Sequence, residues 1–507
     1  VSPRWRRAGL ATAGTLAAAV LVARQAAAGR WVPSNGATAR PPRGRDLLAL
    51  RLVGRILRFR PFQFLCVLPI AGALGLVLIS TAGGLDHPSF NFGTQMTWVV
   101  WWGGLLLTLV VLGRVWCLVC PVGAVGDWVQ RLCLWGRTRY AVGFGLRWPR
   151  PLRNLWPATV LFGAFVWLDQ GYGLSNSPRL TAGLIVVLLL ASAWIGLLFE
   201  RRTFCRYLCP LTPFLGLGAL GAMFELRARD PGVCRARCTH KDCYRGNARH
   251  HGCPAGEFPG GGMDTNLSCV LCTECVRSCP HDNIAMRFRP PGRDLWSLRH
   301  RRRDGAAAAA ILAGLATLVP WLLVVVLPPW RSLVSRVLAG EGARMAAVTA
   351  LFLVGSAASL GLVRAFGHLV PWVSGVRELS PRAAFAAYAY ALVPVGLARF
   401  LADLGEQVLR APGGLADATR ALLLDLPWNR TAPTPATVAP LLGPEGTYAV
   451  QVGLLLAGLL LTLEAMRRVT CRLFARPQVA GPAFVPMAAL AVLLTLASVW
   501  TLGRPLL

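Results

Sequence analysis

Apolar runs of nearly constant length, separated by short polar joints, dominate the chain. They lie near residues 62–81, 97–113, 155–169 and 180–199, and again near 305–327, 345–363, 383–401, 449–466 and 482–502. A helix needs about 20 apolar residues to cross the hydrocarbon layer, so each run predicts one transmembrane helix, with 155–169 extended by its flanks. The count is nine, or ten if the alanine-rich run at 8–23 also spans. That run follows Arg4, Arg6 and Arg7 and precedes Ala26-Ala27-Ala28-Gly29, a pattern shared by a signal anchor, an export signal and a first helix. Over residues 46–60 the period changes: leucines and an isoleucine stand opposite Arg51, Arg55 and Arg58 at helical spacing. This predicts an interfacial helix leading into the first span.

Charge orients these helices. The 507 residues carry a formal charge of +31, with Lys241 the single lysine and the arginines concentrated between the apolar runs. No basic stripe carries a nucleic-acid reading motif, so the charge points to membrane lipid and not to nucleic acid as the partner. Eight arginines fall in 30–60, seven in 114–153 and seven in 287–303, whereas 82–96 holds none and 170–179 only Arg179. The positive-inside rule puts the arginine-rich segments in the cytoplasm and the Pro-rich connection 403–448, with Asp417, Asp425 and Glu445, outside. An N-terminal helix spanning from inside would reverse every later span, so this orientation requires that it not span.

Twelve of the fifteen cysteines fall in four clusters between residues 117 and 279, while Cys66, Cys133 and Cys471 stand alone as ordinary apolar thiols. Clustering in loops argues for metal ligation in a reducing compartment over a disulfide framework. The sharpest motif is CVLCTECVRSCP at 269–280. Its Cys-x2-Cys-x2-Cys-x3-Cys-Pro spacing is that of the bacterial [4Fe-4S] loop, in which three thiolates hold one cubane and the fourth, before proline, reaches a second. Structural zinc is the alternative, although zinc sites usually place two Cys-x2-Cys knuckles well apart. Upstream, Cys234-x3-Cys238-x4-Cys243-x9-Cys253-Pro254 also ends in Cys-Pro. Two such endings predict exchanged fourth ligands: Cys234, Cys238, Cys243 and Cys279 on one cluster, Cys269, Cys272, Cys275 and Cys253 on the other. His240, His250, His251 and His281, lying among them, are expected to be solvated loop residues.

Two further pairs sit where a span meets the cytoplasm, in Arg114-Val-Trp-Cys117-Leu-Val-Cys120-Pro121 and Arg202-Thr-Phe-Cys205-Arg-Tyr-Leu-Cys209-Pro210. Their likeness predicts an internal repeat with both pairs on one face. There Cys117, Cys120, Cys205 and Cys209 would bind a further cluster or metal, or form a redox dithiol. The expected fold class is a polytopic all-α membrane protein of about nine to ten transmembrane helices with a small α+β two-cluster ferredoxin-like insert. Its expected parts are an apolar segment and basic linker at 1–45, a membrane domain with two Cys-Pro motifs at 46–226, a bis-[4Fe-4S] ferredoxin-like domain at 227–290, and a C-terminal membrane domain of about five helices at 291–507.

Through GRVWCLVCPVGAVGDW, FCRYLCPL, KDCYRGN and CVLCTECVRSCPHDNIA the chain resembles the membrane-bound polyferredoxins of the NapH, NosR and CcoG type, over residues 46–290. The resemblance implies two [4Fe-4S] clusters and a multi-pass protein of the bacterial inner membrane with its ferredoxin-like domain cytoplasmic. It also implies electron exchange with a redox partner protein or quinone, in the setting of a respiratory complex, and it singles out no catalytic residue. Two rival functions stay open: a metal-handling or assembly factor for a respiratory metalloenzyme, and a transporter with clusters as redox sensors. The scattered methionines and histidines speak against copper handling.

The C-terminal spans fall outside the resemblance. There Arg399 and Glu464 lie within or near apolar runs, expected either as a mutual ion pair or, for Arg399, as a snorkelling side chain. Gly216-Leu-Gly218-Ala-Leu-Gly221 spells a dinucleotide fingerprint but follows a helix end instead of a strand, which points to close helix packing.

Overall fold

The computed structural model describes Ala17 and residues 46–131, 142–298, 301–321, 341–376, 379–425, 438–474 and 476–502. Cys133 and the rest of the N-terminal run lie outside the described residues.

Helix α1, Arg51–Arg58, exposes Leu52 and Ile56, with Phe59 after them, and carries Arg55 and Arg58 in its last turn. That is the geometry of a helix lying at a membrane surface. The N-terminal membrane part follows as α2 (Phe62–Gly83), α3 (Phe92–Leu112), α4 (Pro121–Arg131), α5 (Trp156–Tyr172), α6 (Pro178–Leu198) and α7 (Thr212–Gly218). The C-terminal part comprises α8 (Arg303–Trp321), α9 (Glu341–Ser374), α10 (Pro381–Tyr388), α11 (Val393–Asp425), α12 (Pro444–Leu473) and α13 (Pro477–Thr501). Among the described residues eight helices are long and apolar enough to cross a membrane. Helix α5 supplies the short apolar run and has 17 residues.

Local signals set the ends. Ser177 accepts from the Leu180 amide and Pro178 opens α6, while Ser380 and Pro381 do the same for α10. Outward faces stay apolar: Leu65, Leu68 and Ile79 on α2 and Val187, Leu190 and Trp194 on α6 are exposed, as suits contact with lipid tails. Inward faces use small residues, which let backbones approach. A Cβ on Gly196 of α6 would lie 2.5 Å from Gly126 O of α4, and Ser192 Oγ donates to Val122 O at 2.6 Å beside it. Ala306, Ala308, Ala309 and Ala310 of α8 share one buried core with Ala384, Ala386 and Ala387 of α10. Gly218, from the fingerprint-like string, packs on buried Leu109.

Two expectations are corrected here. The stretch 403–448 is not one long connection: α11 runs through Pro412 to Asp425, and α12 begins at Pro444. Arg399 and Glu464 do not pair. Arg399 meets Asp403 one turn along its own helix at 3.0 Å and donates to Ser498 O of α13, and Glu464 is held by Arg467 and Arg468. The buried Arg399 therefore points inward and does not snorkel.

Between the two membrane parts lies the cysteine-rich insert. Strands β1 (Phe224–Ala228) and β2 (Ile284–Phe288) pair antiparallel with Leu226 opposite Met286. Residues 229–283 loop out from this ribbon and carry three short helices, Pro231–Ala236, Asp242–Arg245 and Glu274–Ser278. Asp46 ties the ribbon to the start of α1 by accepting from the Met286 amide at 3.1 Å and pairing with Arg229 at 2.8 Å.

Candidate metal centre

Each Cys-Pro motif is built on one plan. Gly113, at φ +65°, reverses the chain after α3 in a conformation that a side chain would strain. One helical turn, Trp116–Val119, then ends at Cys120 in extended backbone. Proline drives the residue before it to that conformation and itself suits the first position of a helix, so Pro121 opens α4. Cys209 is likewise extended before Pro210, with α7 following. The second motif has one more residue between its cysteines. The π turn Phe204–Leu208 absorbs it, with the Cys209 amide donating to Phe204 O at 2.8 Å.

The arginine at the head of each motif reaches across to the other. Arg114 donates from Nη2 to Cys205 O at 3.3 Å and from Nη1 to Leu267 O of the insert at 3.0 Å. Arg202 donates from Nη1 to Cys117 O at 2.7 Å and from Nε to Asp127 Oδ2 at 2.8 Å, and its amide donates to Pro254 O. Both side chains are buried. Burial pushes the Asp127 carboxyl up, but Arg131 and Arg202 more than offset that and hold it below its usual range.

These braces gather the first four thiols. Burial pushes Cys209 up to about 12, helped by Cys117 and Cys120. Cys205 is raised well above its usual value by burial and by Cys209, Cys120 and Cys117, against the opposing Arg202.

In the insert, Leu271 and Thr273 take φ of 51° and 59° and curl the loop around its cysteines. Burial raises Cys269 to about 11 and raises Cys272, while the Leu271 and Glu274 amides respectively pull them down. Amides aimed inward by such a loop favour negative charge. Cys253 is pushed to about 12 by burial and by Cys272, and Cys275 is raised by burial and by Cys272, Cys253 and Cys269. Asn283 joins the ends of the insert: its amide donates to Cys279 Sγ at 3.3 Å and its Nδ2 to Cys234 Sγ at 3.2 Å. Cys243, raised to about 12 mainly by burial, feels Cys279, Cys234 and Cys238.

By the charges that reach each thiol, Cys243 groups with Cys234, Cys238 and Cys279; Cys253 and Cys275 group with Cys269 and Cys272; and Cys205 and Cys209 group with Cys117 and Cys120, three sets in all. Neighbouring sets share apolar clusters. Cys243 and Cys275 share one apolar cluster, and Cys272 packs with Cys117, Leu118 and Val270 in another. His250 faces Glu274 at 3.7 Å.

Among the described residues no three Cys, His, Asp or Glu side chains close into the shell of a single metal ion. A cubane spreads its four thiolates over a wider cage. Buried donors beside the sets also lack partners: Arg114 Nε, Arg202 Nη2, Arg227 Nη2 and Ser278 Oγ. Unpaired donors around thiolates suit a negatively charged group that accepts hydrogen bonds at sulfur, so the residues fit a [4Fe-4S] cluster.

A family model described as a 4Fe-4S binding domain matches residues 94–140 and 181–228. The protein is an iron–sulfur membrane protein. One matched segment carries Cys117 and Cys120 and the other Cys205 and Cys209, so the match falls on the two Cys-Pro repeats, while 234–279 lies beyond it. No curated protein and no solved structure matches the chain. Sequence reasoning passed over Asp127 and Asn283. It quoted Arg114 and Arg202 without giving them a role, although each stands three residues before its cysteine.

Proposed function

We propose that the protein is an electron carrier of the membrane polyferredoxin type, seated in a bacterial inner membrane with its cysteine-bearing face in the cytoplasm. The observation that carries this reading is the continuity of the three thiol sets, from Cys243 beside Cys275 to Cys272 beside Cys117. A [4Fe-4S] cluster, when bound, gives and takes single electrons. The chain's own contribution is to hold the sets at fixed spacing, to bury them, and to aim amides and guanidinium groups at their sulfurs, which sets how readily negative charge is accepted.

Topology supports the same face for all three sets. Arg114 and Arg202 bind each other's motifs, so the chain between Cys120 and Cys205 crosses an even number of times, with α5 pairing with α6. The arginine excess on that side favours the cytoplasm. Membrane lipid and a redox protein or quinone of a respiratory complex are the partners this reading calls for.

Anaerobic purification with iron and acid-labile sulfide analysis, followed by redox-titrated electron paramagnetic resonance, tests the reading. Low-temperature signals that diminish in Cys272→Ser and Cys117→Ser support it. Absence of iron and sulfide overturns it, and tight copper binding lost in Cys117→Ser would replace it with metal handling.

A further inference from the structure

Each of the three thiol sets has partly open members. In the far set Cys234, Cys238 and Cys279 are partly open and Cys243 is buried; in the set next to the membrane motifs Cys253 and Cys269 are partly open and Cys272 and Cys275 are buried. Contacts order the sets from Cys117 through Cys272 and Cys275 to Cys243, so the far set is the station most distant from the membrane motifs. Around it the chain displays a ring of cations. Arg235 and Arg237 lie in or beside the helix that carries Cys234, Lys241 precedes Cys243, and Arg245 and Arg249 follow it; all five are exposed. Among the described residues none of the five forms an ion pair, in contrast to Arg58 and Arg229 nearby, which hold Asp282 and Asp46. Lys241 rests its ammonium 5.4 Å from the centroid of the Phe258 ring. A solvated positive surface would spread such charges over the insert. Here five stand within fifteen residues of sequence, interleaved with Cys238 and Cys243 of the far set.

We propose that this ring is the docking surface for an acidic one-electron carrier protein, which delivers its electron at the Cys234–Cys238–Cys243–Cys279 set. The inference rests on the electron-carrier reading above. One electron leaves the reduced carrier, which is oxidised by one, and the protein is reduced by one; no proton or chemical group moves. Unpaired surface charge of one sign steers a partner of opposite charge and raises the encounter rate, an effect that falls with ionic strength. Redox encounters of this kind use small interfaces, so a patch carried by one loop suffices.

The test uses the full chain in nanodiscs of neutral lipid, reduced by an acidic ferredoxin in a stopped-flow instrument, with dithionite as the small-molecule control. Reversing Arg235 and Arg237 to glutamate, or Lys241→Glu, is expected to slow reduction by ferredoxin at least about tenfold at low salt and to flatten its salt dependence. Reduction by dithionite and the iron content stay unchanged. Arg150→Glu, an exposed charge elsewhere, is expected to leave the ferredoxin rate within about twofold of wild type. Equal rates in the wild type and the reversed variants overturn the proposal. So does an equal loss in Arg150→Glu, which means a diffuse field, or a charge effect seen only with anionic lipid, which assigns the ring to the membrane. A preparation without iron and sulfide instead overturns the electron-carrier reading itself.

Discussion

Asp127→Asn removes the counter-charge of Arg202 while preserving its shape, and the structure sets the size of the effect. The two side chains are each 2 % exposed and 2.8 Å apart, with Arg131 a further 3.7 Å from the carboxylate. Taking away one partner of a buried pair strands the other charge and costs about 3–5 kcal/mol. Two features put this case near the lower end, about 3 kcal/mol: asparagine Oδ1 can still accept from Arg202 Nε, and Arg202 keeps its 2.7 Å bond to Cys117 O. The pair Arg179–Asp86, 3.6 Å apart with side chains 74 % and 54 % exposed, is the internal control. Asp86→Asn is expected to cost under about 1 kcal/mol. Because the folded Asp127 carboxyl is held below its usual range, its contribution is fully present above the unfolded value of about 3.9 and is lost as pH falls through the folded value. The gap between wild type and Asp127→Asn is therefore widest at neutral pH and narrows below about pH 4. Denaturant unfolding in detergent, followed by tryptophan fluorescence at pH 7 and in acid, measures it. A variant within about 1 kcal/mol of wild type at pH 7, or a gap that widens in acid, refutes the brace.

Gly196→Ala is expected to destabilise by about 1–3 kcal/mol, because its Cβ would lie 2.5 Å from Gly126 O and force α4 from α6. Gly183→Ala on the same helix meets open space, and a thermal midpoint no lower than wild type is expected there. In iron-free folded protein, Cys209 and Cys253, pushed to about 12, and Cys269, pushed to about 11, should alkylate far more slowly at pH 8 than they do in urea. Their rates should rise about tenfold per pH unit, as mass spectrometry of the labelled peptides would show; fast labelling at pH 8 contradicts the burial that raises them.

The span positions were legible because an apolar run of about twenty residues has few other stable placements. The two Cys-Pro repeats were legible as well, since proline imposes extended backbone on the cysteine before it in any context. Their unequal spacing was visible as an inserted residue, but the π turn that absorbs it depends on how Phe204–Leu208 packs between Arg202 and Cys209. Helix α11 was misread because Pro412 and Gly413-Gly414 are local breakers. Packing overrides them, with a Cβ at Gly414 falling 3.4 Å from Gln95 of α3. The partner of Arg399 could have been found, since Asp403 stands at i+4 on the same helix face, and pairs at that spacing form locally. No local rule supplies the crossed arginines. Arg114 and Arg202 are 88 positions apart, and only the folded repeat brings Cys205 O to one and Cys117 O to the other.

The crossing bears on how many clusters the chain would hold. Two matches to a 4Fe-4S domain suggest two clusters at first sight, one per segment. Yet each matched segment offers only Cys117 and Cys120, or Cys205 and Cys209, among its described residues, and a cubane takes four thiolates. Each arginine places one bond on the opposite motif, Arg114 on Cys205 O and Arg202 on Cys117 O, which favours reading the two repeats as halves of one four-thiol set. On the exchanged-ligand reading the insert beyond residue 228 would contribute two more sets, closed by Cys279 and Cys253. Full occupancy of all three would give about twelve irons and about twelve sulfides per chain, against about eight if the Cys-Pro pairs form a dithiol. Cys117→Ser should bring the count from about twelve to about eight and leave the insert's signals in place, whereas a wild type at about eight, unchanged by Cys117→Ser, would mean that the crossed arginines brace a thiol site without a cluster.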